Sequence, residues 1–181
     1  MAPEQEQPSS VPSLPADTLD FAHRMFDAAR SGNEPLLLQA IDAGLPLNLT
    51  NSEGKHVPSN PPLMAMMTHP RRTGNTLLML AAYAGHTSLT RALLARNADP
   101  NRLNDRGQSI VAGAVFKAHD EIVRDLVAAG ADPRLGKPTA IETAHMFGRK
   151  DLLVVLGAKE GDVGEDVPTP PSALPKEAPS S

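Results

Sequence analysis

The chain has 181 residues, of which 40% are hydrophobic, with one Tyr, no Trp and no Cys. The absence of cysteine excludes disulfides, thiolate catalysis and cysteine-based zinc sites. The formal net charge is −4, but acidic ends (−4 in residues 1–20 and −3 in residues 159–181) enclose a middle segment of +3. Because the N-terminus is acidic and no apolar run reaches the ~18 residues of a membrane span, we expect a cytoplasmic or nuclear protein without a membrane anchor.

The two ends of the chain are rich in proline and contain no aromatic residue. Nine of the 18 prolines lie in residues 1–16 and 159–181. Such segments bury too little apolar surface to offset the entropy lost on ordering. We therefore expect a disordered N-terminal tail over 1–16 and a disordered acidic, proline-rich C-terminal tail over 159–181. The C-terminal tail is either a solubilising segment or a regulatory one that folds back on basic turns.

The first predicted structural unit is a pair of helices. Apolar residues at helical spacing occur between Asp17 and Gly32, and Asp17 or Thr18 is predicted to cap this helix. A second helix is predicted over about 34–43, with Gly44 as a left-handed stop.

This helix–turn–helix unit recurs along the chain. Residues 76–101 and 109–133 are similar in sequence at an offset of 33 residues. The turn between the two helices falls on Gly32, Gly85, Ala118 and Gly148, so the first interval is 20 residues longer than the period and the third is three residues shorter. A period in this range indicates a stacked repeat protein, whose function is recognition more often than catalysis.

The extra residues of the first interval lie in 55–73, a segment that contains four prolines. Proline at this density prevents a regular helix through the segment. The insertion is interpreted either as a functional loop at the edge of the stack or as a neutral insertion or a gene-model error, and the sequence leaves this open.

The units resemble ankyrin repeats, whose motif is G-x-T-P-L-H-x-A-A-x-x-G-H, then an aliphatic helix and G-A-D-x-N. The second unit matches it at Gly74, Thr76, Leu78, Ala81, Ala82, Gly85, His86, Ala98, Asp99 and Asn101. Matches recur in register in the other units, over about residues 20–158. The resemblance implies an all-α ankyrin-repeat solenoid over 17–158, with about four helix–turn–helix repeats near 17–50, 74–106, 107–136 and 137–158.

No nucleophile, metalloprotease or phosphate-loop motif occurs in the chain, and its carboxylates are scattered. We therefore expect no enzyme, no metal and no cofactor. His86 and His119 occupy the Gly-His position of the family motif, where the resemblance implies that the ring bonds to the backbone. A histidine-based metal hydrolase remains the alternative from another class.

The resemblance implies a concave face formed by the turns and the first helices, into which the two residues after each Ala-Ala pair point. Large side chains at the centre of such a groove are the usual anchors of an interface. The predicted partner-binding residues are Tyr83, Phe116, Lys117, Met146, Arg30, Arg72 and Arg106.

The turns between the repeats carry a surplus of cations. They contain Arg71, Arg72, Arg102, Arg106, Arg134 and Lys137, and within the stretches that these cations bound (71–72, 102–106 and 134–137) Asp105 is the only acid. This pattern is either ordinary solvated charge or a basic edge that favours an acidic or phosphorylated protein partner. Nucleic-acid binding is not expected, because the net charge is negative and no basic helix is present. We expect a monomeric protein-binding module or adaptor; the alternative is a regulator that sequesters a transcription or signalling factor.

Overall fold

The computed structural model describes residues 16–51, 74–164 and 167–168. Within these ranges the chain forms eight α-helices and no strand. The helices form four successive pairs, α1 (Ala16–Ser31) with α2 (Glu34–Asp42), α3 (Leu77–Ala84) with α4 (Thr87–Ala95), α5 (Ile110–Phe116) with α6 (Asp120–Ala128), and α7 (Ala140–Met146) with α8 (Lys150–Val155). We number the pairs as repeats 1 to 4. The predicted all-α solenoid is confirmed.

The repeats stack in two layers of helices. The first helices pack in the order α1, α3, α5 and α7, and the second helices pack beside them in the order α2, α4, α6 and α8. Residues 77–82 of α3 are all buried, so this helix has apolar contacts on nearly every side. A helix of this kind is stable only between neighbours, which makes stacking the main source of stability.

We call the first helix of each repeat the inner helix and the second the outer helix. A residue with a hydroxyl side chain is the N-cap of three of the four inner helices. Thr76, Ser109 and Thr139 each accept a hydrogen bond from the backbone N–H three residues later. Such a cap satisfies a donor that the first helical turn leaves free. The same helices end at a residue of positive φ, which is +87° at Gly85 and +59° at Ala118. The recurring motif residues therefore mark where each inner helix starts and stops.

The first helix differs from the prediction at its start. It begins at Ala16, so Asp17 and Thr18 lie inside the helix and not at the position before its first residue. The cap of α2 is Asn33, whose side chain accepts a hydrogen bond from the N–H of Leu36.

Isolated antiparallel bridges lie between successive repeats, Thr50 with Thr76 between repeats 1 and 2, and Leu103 with Ser109 at the hairpin turn between repeats 2 and 3. At the first bridge the N–H of Asn51 donates to the carbonyl of Asn75 at 3.0 Å. The N–H of Asn75 donates in turn to Asn51 Oδ1 at 2.7 Å. The predicted insertion 55–73 lies outside the described residues, but the chain enters and leaves it at this closed pair.

Asparagine side chains connect the ends of successive repeats. Asn48 Oδ1 accepts a hydrogen bond from the N–H of Asp99 at 3.1 Å. One repeat later, Asn101 Oδ1 accepts from the N–H of Asp132 at 2.7 Å, and Asn101 Nδ2 donates to the carbonyl of Gly130 at 3.1 Å. We call this the ladder position, because the equivalent residue in each of these two repeats forms hydrogen bonds with the repeat that follows.

Candidate protein-binding surface

Tyr83 is an exposed aromatic residue at the end of a buried helix. The two residues before it, Ala81 and Ala82, are fully buried, whereas 45% of Tyr83 is exposed. The contrast arises because the Ala-Ala pair faces the neighbouring helices, and the next residue on the helix turns away from them. In repeat 2 the chain therefore places a large side chain at the surface directly after a buried pair of small residues.

The ring of Tyr83 reaches across to repeat 3. Lys117 Nζ lies 4.7 Å from the centre of the ring. One helical turn earlier, the position of a Cβ on Gly113 would be 3.4 Å from Tyr83 Cδ2. The ring thus lies beside α5 with a cation over it, an arrangement that holds both side chains in place at the surface.

Phe116 makes the equivalent contact with repeat 4. Its ring centre is 5.7 Å from that of Phe147, and the rings are inclined at 73° in an edge-to-face pair. Both residues are more than half exposed, at 55% and 52%. The two contacts follow one pattern. Lys117 comes directly after Phe116 and packs on Tyr83 of the repeat before, and Phe147 comes directly after Met146 and packs on Phe116 of the repeat before. We call Tyr83, Phe116, Phe147 and Lys117 the aromatic row.

The predicted binding residues of the inner helices differ from one another in exposure. Tyr83, Phe116 and Lys117 are exposed and adjacent, as the prediction requires, although their role in binding stays a prediction. In repeat 4 the exposed ring belongs to Phe147, whereas Met146 is half-buried. The role of Met146 in binding stays a prediction, and the residue after it, Phe147, is the one that reaches back onto Phe116.

The predicted arginines are also placed differently from one another. Arg30 is half-buried, and its guanidinium pairs with Asp27 at 2.7 Å, so its charge is already matched within the helix. Arg106 is exposed at the hairpin between repeats 2 and 3. Arg72 lies outside the described residues.

Arg134 does not belong to a free basic edge. It stands at the ladder position, 33 residues after Asn101, and donates to the carbonyl of Gly157 at 3.1 Å. Its guanidinium also pairs with both carboxylate oxygens of Asp162, at 3.0 and 2.6 Å. This hydrogen bonding lowers the pKa of Asp162. Of the two interpretations of the turn cations, neither describes Arg134, because its guanidinium is bound to the chain that follows the last helix.

The outer helices carry ion pairs between repeats. Arg96 pairs with Asp42 of repeat 1 at 3.1 Å, and this hydrogen bond lowers the pKa of that carboxyl group. Arg91 pairs with Glu121 and Asp125 of repeat 3, and Arg149 pairs with Asp120 of that same repeat. These exposed pairs stabilise the stack only modestly. The arginines of these pairs are matched by acids, whereas Arg102 and Arg106 of the hairpin between repeats 2 and 3 form no ion pair with any described residue.

The two motif histidines lie against glycine in the preceding repeat. His86 Nε2 is 2.8 Å from the carbonyl oxygen of Arg30, and its ring covers the Cα of Gly32. The ring of His119 covers Gly85 in the same way. Both rings are therefore placed to join repeats. Within the described ranges, no three His, Asp or Glu side chains lie close enough together to hold a metal ion.

The family model for ankyrin repeats, in three copies, matches residues 25–137. A protein of Pseudomonas aeruginosa named as an ankyrin repeat protein is 37% identical over 83 residues, which are 46% of this chain and 37% of that protein's length. None of the helices in the described part of the chain is long and apolar enough to cross a membrane. Ankyrin repeats are generally protein–protein interaction modules and generally not enzymes. The match in sequence agrees with the stacked helix pairs, and this chain belongs to the ankyrin repeat family.

Proposed function

We propose that this chain is a non-catalytic adaptor that binds a partner protein across the aromatic row and the hairpin between repeats 2 and 3, which leads into α5. The observation that carries the proposal is the sequence of three exposed rings on successive repeats, Tyr83, Phe116 and Phe147. Exposed aromatic side chains at the centre of a protein surface are the residues that most often dominate binding energy.

The fixed geometry of the row supports the same proposal. Lys117 covers Tyr83, and Phe147 covers Phe116, so the four side chains are already ordered before a partner arrives. Ordering side chains on binding costs about 0.5–1.5 kcal/mol for each flexible one. A row that is ordered in the free protein avoids part of this cost.

Affinity capture with matched variants tests the proposal. The double variant Tyr83→Ala/Phe116→Ala should lose a partner that the unaltered chain retains from an extract of the cells that express it. Val154→Ala is the control, because Val154 is 82% exposed on the outer helix α8. Circular dichroism should show that all variants keep their helices. If the double variant and the control retain the same partners, the aromatic row is not the binding surface.

A further inference from the structure

We infer that the occupant of the aromatic row is an extended acidic segment of a partner protein, anchored by an apolar side chain on the Phe116–Phe147 pair. This inference rests on the proposed function and deepens it by giving the chemistry of the partner.

The charge at the row and the hairpins points to an acidic occupant. The cations of this region are exposed and form no ion pair with any described residue; they are Arg102, Arg106, Lys117 and Lys137. The carboxylate of Asp105 lies among them, against the Cα of Gly74. A surplus of exposed cations beside an apolar anchor favours a segment that carries carboxylates around an apolar residue.

Lys117 links the charged and apolar parts of the surface. Its ammonium lies 4.7 Å from the centre of the Tyr83 ring, so it stands within the aromatic row itself. A purely apolar partner face would leave this ammonium desolvated and unpaired, which is costly. A carboxylate placed on it would instead satisfy the charge. The row therefore fits a mixed acidic and apolar segment better than an apolar one.

The distribution of the cations indicates carboxylates spread along a segment. Arg102 and Arg106 belong to the hairpin before α5, and the backbone N–H of Lys137 donates to the carbonyl of Gly107 in that hairpin at 3.0 Å. Lys117 lies beyond the opposite end of α5, so the cations occupy both ends of this helix. A single phosphate prefers several donors that converge on one point. The aromatic row extends over repeats 2 to 4, and packed helices are ~8–10 Å apart, so the row is about 16–20 Å long. An extended chain at ~3.3 Å a residue covers this length with about six residues.

The only tyrosine of the chain reports binding directly, because Tyr83 is in the row and the chain has no tryptophan. The probe is the synthetic peptide Asp-Glu-Pro-Phe-Pro-Glu-Asp, blocked at both ends, whose prolines prevent a helix and whose phenylalanine provides the anchor. We expect a saturable change in tyrosine emission that weakens as salt is added. The matched peptide with Lys and Arg in place of the acids should produce no saturable change.

Protein variants connect the response to the row. Lys117→Glu should weaken binding of the acidic peptide at least about fivefold, since it reverses the charge within the row, and Phe116→Ala at least about tenfold. Arg124→Glu is the matched control for Lys117→Glu. Arg124 is exposed on the outer helix α6, and its replacement by Glu changes the net charge by the same amount. It should alter the affinity less than twofold. Unfolding curves of every variant establish that the fold is retained.

Several results would overturn the inference. One is no saturable response to the acidic peptide, and another is an equal loss in Lys117→Glu and Arg124→Glu. Tighter binding of a helical acidic peptide, of a phosphopeptide or of a short RNA would replace the extended acidic segment with that other occupant. If the peptide fails while partner capture still depends on Tyr83 and Phe116, the row binds proteins and only the acidic segment is wrong. If capture is also independent of these residues, both proposals fail.

Discussion

The ammonium of Lys117 lies 4.7 Å from the centre of the Tyr83 ring, across the boundary between repeats 2 and 3. A cation over an exposed aromatic face contributes about 0.5–1 kcal/mol. A double-mutant cycle with Lys117→Met and Tyr83→Leu, measured by urea unfolding, should therefore give a coupling free energy of about 0.5 kcal/mol. The same cycle with Lys150→Met, an exposed lysine of α8, should give none. Equal coupling in the two cycles would contradict the contact.

Two glycines with the same backbone angle separate strain from contact. Gly85 and Gly130 both have φ +87°, a region that costs a residue with a Cβ about 1–2 kcal/mol. A Cβ at Gly85 would also lie 2.7 Å from His119 Cε1, whereas at Gly130 nothing lies within 4 Å. We expect Gly85→Ala to lower the free energy of unfolding by a further ~1–3 kcal/mol relative to Gly130→Ala, because the His119 ring must move. Equal losses in urea unfolding would show that the ring moves freely.

The bond from Arg134 to Asp162 predicts a dependence of stability on pH. The pKa of Asp162 is lowered by this hydrogen bond, so the carboxylate stabilises the folded chain above the unfolded pKa of about 3.9. The contribution is lost as the pH falls through the lower folded value. The variant Asp162→Asn should therefore be less stable than the unaltered chain at about pH 7 and about pH 5, and the difference should shrink below about pH 4.

The control for this pH dependence removes the partner of Asp162. In an Arg134→Gln background, Asp162→Asn should change stability less at every pH, because the largest cause of the lowered pKa is gone. Thermal unfolding across the pH range measures both pairs of proteins. A difference between Asp162→Asn and the unaltered chain that persists undiminished at low pH would contradict the ion pair.

The chain between the bridged residues Thr50 and Thr76 should accept a much shorter connection. Asn51, Gly74 and Asn75 correspond to Asn104, Gly107 and Gln108 in the hairpin between repeats 2 and 3, so replacing residues 52–73 with Asp-Arg reproduces that hairpin. Loop-closure entropy changes slowly with length, so we expect the stack to be retained and to gain at most about 1.4 kcal/mol. Circular dichroism and urea unfolding measure the outcome. A clear loss of stability would show that 52–73 contributes to the stack.

The sequence was sufficient to predict the repeats and much of the row. Motif residues such as Thr76, Gly85 and His86 have fixed structural duties, and their recurrence sets the register. Once the register is known, Tyr83 and Phe116 follow as equivalent positions. The exposure of each remained open, because a residue after a buried pair on a short helix is close to both the core and the surface.

Contacts between repeats were harder to predict than positions within them. Phe147 was not named among the predicted binding residues, because its contact with Phe116 depends on the stacking of repeat 4 on repeat 3. Arg134 was counted among the turn cations by its charge, although its register with Asn48 and Asn101 could have identified it as a ladder residue. The acid that pairs with it, Asp162, lies 28 residues later, and no repeat period predicts that partner.

The edge-to-face contact of Phe116 with Phe147 makes part of the aromatic row depend on the packing of repeat 4. One of the two rings belongs to repeat 4, which packs against only one other repeat among the described residues, and a repeat with one neighbour opens more readily than a repeat with two. Arg134 and Asp162 hold the chain directly after this repeat in place. Fraying of repeat 4 would therefore separate Phe147 from Phe116 without any change in sequence. A partner segment bound to this ring pair would protect α7 and α8 against amide exchange.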